Sequence, residues 1–234
     1  MDADTVKEKI QGLSGFSMIR LYGVDCSQVE NVFAAITDSQ KLFLGIYDID
    51  QTESALDTIA SAAATYGWDR IDTIAVGNEL VNSGTKSVDE VVTAIATARS
   101  YLASTSYAGS IVTVDTFVAV MEHPELCENS DYAAVNCHPF FDGGVFAYGA
   151  GPFVAAQIGF VAASCSGKNV FVTETGWPHS GNSNGDATPS TDNQKIALDS
   201  LVSVVADDIM LFTAYDDLWK ADGEYDVEKY WGIY

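Results

Sequence analysis

Basic side chains are scarce in this chain of 234 residues, where 11 lysines and arginines stand against 33 aspartates and glutamates. The formal net charge is therefore −22. We expect no nucleic-acid partner, because phosphate binding requires a basic patch. The acidic residues are scattered rather than gathered in blocks, which indicates a solvated surface. The chain also lacks any run of about 18 apolar residues, so we expect no membrane span.

Histidine is rarer still, with three residues, and no His-Glu-x-x-His pattern occurs. The glycines form neither a phosphate loop nor a dinucleotide-binding pattern, and a Gly-x-Ser-x-Gly elbow is absent. We therefore expect no metal and no cofactor. The four cysteines have no zinc-site spacing, and they allow three disulfide pairings that the sequence leaves open.

What the chain does have is a regular alternation of apolar strands and helices. The predicted strands cover 17–22, 42–47, 71–79, 111–116, 132–138, 169–173 and 209–215. Such alternation requires a parallel sheet with crossover helices. We expect one catalytic domain over residues 1–234, a (β/α)8 TIM barrel that lacks its first strand, because a closed barrel needs eight.

Three Ser/Thr-x-x-Glu/Gln patterns predict where helices begin. In such a capping box, the side chains of the first and fourth residues each accept a hydrogen bond from the other's backbone. The pairs are Ser27 with Glu30, Ser87 with Glu90, and Thr191 with Gln194.

Two of the predicted strands stay apolar until they end in a glutamate, at Glu79 and Glu174. The carboxyl ends of barrel strands are where barrel enzymes place their active sites. Each glutamate alone is also compatible with a surface carboxylate. A carboxylate at the end of a buried strand destabilises the fold unless it has a functional role or an interaction partner. Two strands that end in this way therefore predict a functional pair of carboxylates. Glycoside cleavage uses a pair of this kind.

The residues around both glutamates resemble glycoside hydrolase family 17, the β-1,3-glucanases and glucanosyltransferases of plants and fungi. The similar segments are Arg20-Leu21-Tyr22-Gly23, Val76-Gly77-Asn78-Glu79, Asn136-Cys137-His138-Pro139-Phe140-Phe141, Val172-Thr173-Glu174-Thr175-Gly176-Trp177-Pro178 and Trp231-Gly232-Ile233. The resemblance covers nearly all of the chain and is closest to the fungal cell-wall branch.

This resemblance implies a retaining enzyme that forms a covalent glycosyl-enzyme intermediate, with Glu79 as acid/base and Glu174 as nucleophile. Their carboxyl groups should then lie about 5 to 5.5 Å apart. The implied partner is a β-1,3-glucan oligosaccharide or polysaccharide, which the enzyme hydrolyses internally, transfers to another glucan, or both. A secreted monomer in the cell wall is expected.

The resemblance also implies binding roles near the two glutamates. Asn78 would bond the sugar 2-hydroxyl, and Tyr22 would orient the nucleophile unless it is a core tyrosine. His138 is interpreted as a groove residue, with a core histidine as a nearly equal alternative. The acidic C-terminal segment aligns with a charged cluster that would hold the charge state of Glu79. Lys220 and Glu228 match it directly, and Asp217 stands where plant members have glutamate; the alternative is a surface ion pair.

Aromatic side chains are the expected platforms for the sugar rings, because a flat ring buries the apolar face of a sugar at low entropic cost. Each candidate is also suited to the core, and Trp177 is preferred because it follows the nucleophile. The candidates are Phe140, Phe141, Trp177, Tyr215 and Trp219.

A second hypothesis is a non-catalytic protein that binds cell-wall glucan. A barrel without its first strand would expose two sheet edges. A chain of this kind could lack a complete active site and bind glucan without cleaving it. The presence of both glutamates favours the enzyme.

Overall fold

The computed structural model describes residues 2–234, in which seven strands alternate with eight α-helices. The strands are β1 (Met18–Leu21), β2 (Lys41–Ile46), β3 (Ile71–Asn78), β4 (Ser110–Thr116), β5 (Ala133–Asn136), β6 (Val170–Thr175) and β7 (Ile209–Leu211). The helices are α1 (Ala3–Gln11), α2 (Gln28–Phe33), α3 (Thr52–Tyr66), α4 (Val88–Leu102), α5 (Phe117–Glu122), α6 (Glu125–Glu128), α7 (Ala150–Ser164) and α8 (Thr191–Val205). The predicted number of strands is confirmed for the described residues, although β7 ends at Leu211 rather than at residue 215.

One of the three predicted capping boxes is present. At the start of α4, the Glu90 N–H donates to Ser87 Oγ at 3.3 Å, and the Ser87 N–H donates to the Glu90 carboxylate at 2.8 Å. The other two predictions are wrong. Ser27 has a left-handed backbone (φ 55°), and its side chain forms no capping bond. Helix α8 is capped by Ser190, the residue before the predicted Thr191.

The chain divides into two compact units, of which the first holds the residues up to Asp115 together with Glu122–Ala133. Within it, β1, β2, β3 and β4 pair in chain order, and every pairing is parallel. The side chains of β2 and β3 are almost all buried, as their apolar runs predicted. Because the strands are parallel, their carboxyl ends meet at one edge of this part of the sheet.

The second unit holds Thr116–Met121 and Ala134–Tyr234. In it, β6 pairs with β7 in parallel, and the Cys137 N–H, just after β5, donates to the Glu174 carbonyl at 2.9 Å. Helices α7 and α8 pack closely at Gly151, where a Cβ atom would lie 2.3 Å from the Ser200 carbonyl oxygen. That residues 1–234 form a single domain stays a prediction.

The cysteines fall into two classes. Cys127 and Cys165 are disulfide-bonded, whereas Cys26 and Cys137 are free thiols. Cys26 is exposed and Cys137 is buried, and this burial raises the pKa of the Cys137 thiol to about 12. Across residues 2–234, the helices are all too short or too polar to span a membrane.

Candidate active site

Glu79 directly follows β3, at the point where the strand loses its regular geometry. The strand is buried from Thr73 to Gly77, which has a φ of 84°, and its register with β4 shifts between Ala75 and Asn78. Glu79 itself is half-buried and has a φ of 55°, in the left-handed region that few residues other than glycine adopt. Its N–H donates to the Val114 carbonyl at 3.0 Å, which ties it to the carboxyl end of β4.

Arg20, on β1, connects the two other residues predicted for this edge. Its guanidinium donates through Nη2 to Asn78 Oδ1 at 2.8 Å and lies 4.3 Å from the centre of the Tyr22 ring. An arginine has only donors, so it fixes the orientation of the Asn78 amide, with Oδ1 towards the guanidinium. Arg20 was not among the predicted site residues, although a cation inside an otherwise apolar strand was a signal for it.

The turn after Glu79 is bonded to a second residue that the sequence reasoning missed. The buried carboxylate of Asp115, on β4, accepts hydrogen bonds from the backbone N–H groups of Val81 at 2.9 Å and Asn82 at 3.3 Å. An aspartate near the end of an apolar strand was its only signal in the sequence.

Glu174 lies near the carboxyl end of β6 with only 7% of its surface exposed. Its side chain meets His138, whose Nε2 lies 3.2 Å from Glu174 Oε2. The histidine ring also makes edge contacts with the rings of Phe212, Trp231 and Phe141, with centroid distances of 5.3, 4.8 and 6.1 Å. His138 therefore has features of both interpretations. It packs among aromatic rings, as a core histidine would, and it lies within hydrogen-bond distance of the predicted nucleophile, as a groove residue would.

Two of the predicted sugar platforms are buried residues. Trp177 is 0% exposed, and its Nε1 donates to the Thr188 carbonyl at 3.0 Å. Phe140 is equally buried and packs edge-on against Trp177 at 5.5 Å. The burial of both rings matches the core alternative of the prediction, and a role of either in sugar binding stays a prediction.

The remaining aromatic candidates retain accessible surface. Phe141, next to Phe140, is 48% exposed and contacts the His138 ring, so it combines an open face with proximity to Glu174. Trp219 is exposed, and Tyr215 is half-buried beside the ring of Tyr234. In the first unit, the exposed Tyr47 follows the end of β2, a position that the sequence reasoning did not single out.

Of the three predicted charged residues near the C-terminus, Lys220 and Asp217 form an ion pair. Lys220 Nζ lies 3.0 Å from Asp217 Oδ2 and 4.9 Å from the centre of the Phe212 ring, which itself contacts His138. Glu228 is half-buried in the following segment, where its backbone N–H lies 3.5 Å from the Asp222 carbonyl. An effect of these residues on the charge of Glu79 stays a prediction.

Residues 1–232 match the family described as the BtgE/BtgC glycoside hydrolase domain. The chain belongs to this family. Its relatives include the Probable family 17 glucosidase SCW10 of Saccharomyces cerevisiae, 54% identical over 97% of this chain and 59% of the relative. The Cell surface mannoprotein MP65 of Candida albicans is 50% identical over 98% of this chain and 61% of the relative. The predicted membership of glycoside hydrolase family 17 is confirmed, and the chain spans less than two thirds of these relatives.

Solved structures share the fold of this BtgE/BtgC-family chain. The glycoside hydrolase family 17 beta-1,3-glucanosyltransferase from Rhizomucor miehei covers 100% of this chain and 87% of its own, with a TM-score of 0.84 and 20% identity. An active-site mutant of that enzyme was solved with laminaritriose. A plant beta-glucan endohydrolase matches with a TM-score of 0.71 and 16% identity. These matches confirm the predicted (β/α)-barrel class.

Proposed function

We propose that this chain is the catalytic part of a retaining enzyme on β-1,3-glucan, with Glu174 as nucleophile and Glu79 as acid/base. The observation that carries the proposal is the burial of the Glu174 carboxylate at a strand's carboxyl end, within hydrogen-bond distance of His138. Burying a carboxylate is costly unless it is held by partners. A carboxylate at the carboxyl ends of barrel strands is typical of an active site. The names of the relatives and of the matched structures support the same substrate class.

The proposed reaction has two halves. First, the Glu174 carboxylate attacks the anomeric carbon, the glycosidic C–O bond breaks, and the leaving oxygen takes a proton from Glu79. Next, the Glu79 carboxylate removes a proton from water or from a sugar hydroxyl, whose oxygen attacks the anomeric carbon and releases Glu174 as a carboxylate. Water gives hydrolysis and a sugar hydroxyl gives transfer. The scheme requires the two carboxyl groups to lie about 5 to 5.5 Å apart.

The other residues have supporting roles in this proposal. Because Arg20 engages Asn78 Oδ1, the Nδ2 donors of Asn78 are those assigned to the sugar 2-hydroxyl. Phe141 is the preferred sugar platform near Glu174, since its ring is half-exposed. We further propose that the protein acts in the cell wall, a location supported by the relative named a cell surface mannoprotein.

Mass spectrometry of the products from laminaripentaose, a β-1,3-linked pentasaccharide, tests the proposal. The parent chain, Glu174→Gln and the control Glu224→Gln, which alters an exposed glutamate of the same unit, are compared. We expect products from the parent and the control but not from Glu174→Gln. Products longer than the substrate report transfer, and shorter ones alone report hydrolysis.

Two outcomes contradict the proposal. Equal product yields from Glu174→Gln and the parent would remove Glu174 as the nucleophile. No products from a folded parent would remove the catalytic assignment, and retention of the chain on insoluble β-1,3-glucan would then identify a non-catalytic binder.

A further inference from the structure

The turn that carries Glu79 has two kinds of hydrogen bond. Bonds within the turn set its shape, such as Ser83 N–H to the Glu79 carbonyl at 3.0 Å. Bonds to β4 set its position on the sheet, and the described ones run from Glu79 N–H to the Val114 carbonyl and from Val81 and Asn82 to Asp115. The carboxylate of Asp115 therefore supplies the side-chain part of this attachment.

Asp115 is an unusual residue for its position. It is 2% exposed near the end of β4, after Val114 and other buried residues. A buried carboxylate costs free energy unless hydrogen bonds satisfy it. Asp115 directs both oxygens to backbone N–H groups of the turn, at 2.9 and 3.3 Å. A carboxylate offers two acceptor oxygens, whereas an amide or hydroxyl side chain has one, so Asp115 can hold two N–H groups of the turn at once.

The backbone of Glu79 is what makes this attachment matter. A non-glycine residue with φ near 55° is in a sparsely populated conformation, which persists where the surrounding structure fixes it. Glu79 is bonded to Val114 on one side, and the Asp115 bonds follow two and three residues later. Release of the later bonds would let the turn relax and change the direction of the Glu79 side chain.

We propose that Asp115 is a positioning residue that aims the carboxyl group of Glu79 by fixing the turn of residues 79–82 to β4. The inference rests on the proposed role of Glu79 as acid/base. A displacement of about 1 Å in a reacting group costs about a hundredfold in rate, so a positioning defect is measurable even when the fold is kept.

The test variant is Asp115→Asn, in which one acceptor oxygen becomes an NH2 group that cannot accept a backbone N–H. Asp131→Asn is the matched control. The carboxylate of Asp131 likewise accepts a backbone N–H, but its donor is Ile111 at the amino end of β4, at 2.6 Å, and not the turn. Its other oxygen accepts from Arg99 at 2.6 Å. Both variants thus replace a carboxylate that accepts a backbone N–H, but only Asp115→Asn alters an acceptor of the turn.

Two substrates separate positioning of the acid/base from general damage. Laminaripentaose has a sugar leaving group that must be protonated, whereas a 2,4-dinitrophenyl β-glucoside has one that leaves without a proton. Azide, supplied with the second substrate, attacks the glycosyl-enzyme without needing a base. A defect in the acid/base therefore slows the first reaction and spares the second. The ratio of the two rates does not depend on the fraction of folded protein.

For Asp115→Asn we expect about a tenfold to hundredfold fall in kcat on laminaripentaose and nearly parental turnover of the dinitrophenyl glucoside with azide. Asp131→Asn should leave the ratio of the two rates unchanged. Asp115→Ala, which loses both acceptors, should change the ratio further. In the Glu79→Ala background, Asp115→Asn should cause no further fall, because both changes act through one group.

The failures of the inference and of the proposed function are distinguishable. If Glu79→Ala shows the selective loss and Asp115→Asn loses both activities equally, the positioning role is overturned while the function of Glu79 stands. A change of ratio in Asp131→Asn as large as in Asp115→Asn also overturns it. If Glu79→Ala retains full turnover of laminaripentaose, the proposed function fails and the inference fails with it.

Discussion

His138 Nε2 lies 3.2 Å from Glu174 Oε2, while the opposite ring nitrogen, Nδ1, is buried without a hydrogen-bond partner among residues 2–234. A carboxylate only accepts, so the contact requires the proton on Nε2. A second proton on Nδ1 would leave a buried donor unsatisfied, and such groups are costly. His138 therefore acts as the donor of this bond, through Nε2.

Replacement of His138 tests this relationship. In His138→Phe, the aromatic packing is kept and the donor is lost. A donor to a carboxylate favours its ionised form, so without it we expect the acid limb of the kcat/KM profile to move to higher pH. His138→Gln keeps an N–H group near the same place and should leave the limb closer to that of the parent. An unchanged profile in His138→Phe would mean that the contact does not tune Glu174.

The contrast between Phe141 and Trp177 gives a second prediction. Trp177→Phe leaves a cavity and removes the bond to Thr188, so we expect a clear fall in the urea midpoint of unfolding with little change in KM. Phe141→Ala removes a half-exposed ring and should raise KM for laminari-oligosaccharides several-fold at nearly parental stability. The reverse pattern would restore Trp177 as the sugar platform.

The sequence predicted the strands of this chain because each is an apolar run bounded by turn residues. Glu79 and Glu174 were identified for the same reason, since a carboxylate at the end of a buried strand interrupts a clear pattern. The left-handed backbone at Glu79 and the shifted register of β3 beside it leave no such signal. Asp115 also lies near the end of an apolar strand, but its role as an acceptor for the turn depends on a backbone that only the structure shows.

The position of Trp177 in the sequence did not reveal whether its ring belongs to the core or to a sugar-binding surface. Its place after Glu174 suits both a sugar platform and the core, and the decision rests on distant partners: Phe140 and Thr188. Aromatic residues serve core and ligand with the same chemistry. Chain position alone therefore does not distinguish the two.

Alkaline unfolding provides a third prediction. Burial raises the pKa of Cys137 from its ordinary value of 9.0 to about 12 in the folded chain, and that of Tyr132 from 10.0 to about 12. Both groups favour folding while protonated, and this contribution is lost as the pH rises from about 9 to about 12. Each group that ionises first in the unfolded chain lowers the free energy of unfolding by about 1.4 kcal/mol per pH unit.

Urea unfolding at pH values between 8 and 11 checks this prediction. Cys137→Ala should make the fall in unfolding free energy shallower above pH 9, whatever its effect at neutral pH. Cys26→Ala is the matched control, because that thiol is exposed, and its slope should equal that of the parent. Equal slopes of unfolding free energy against pH in the parent and Cys137→Ala would show that the Cys137 thiol ionises as easily in the folded chain as in the unfolded chain.

The two Ser-x-x-Glu patterns at Ser27 and Ser87 give the last prediction, since the same pattern caps one helix and not the other. Ser87 and Glu90 exchange hydrogen bonds at the start of α4, whereas Ser27 has a left-handed backbone and an uncapped side chain. Ser87→Ala should therefore cost about 1 kcal/mol of unfolding free energy, the usual loss for an N-cap. Ser27→Ala, at an exposed position, should change it by less than about 0.5 kcal/mol. Urea denaturation of both variants measures the difference, and equal losses would mean that Ser27 also caps its helix in solution.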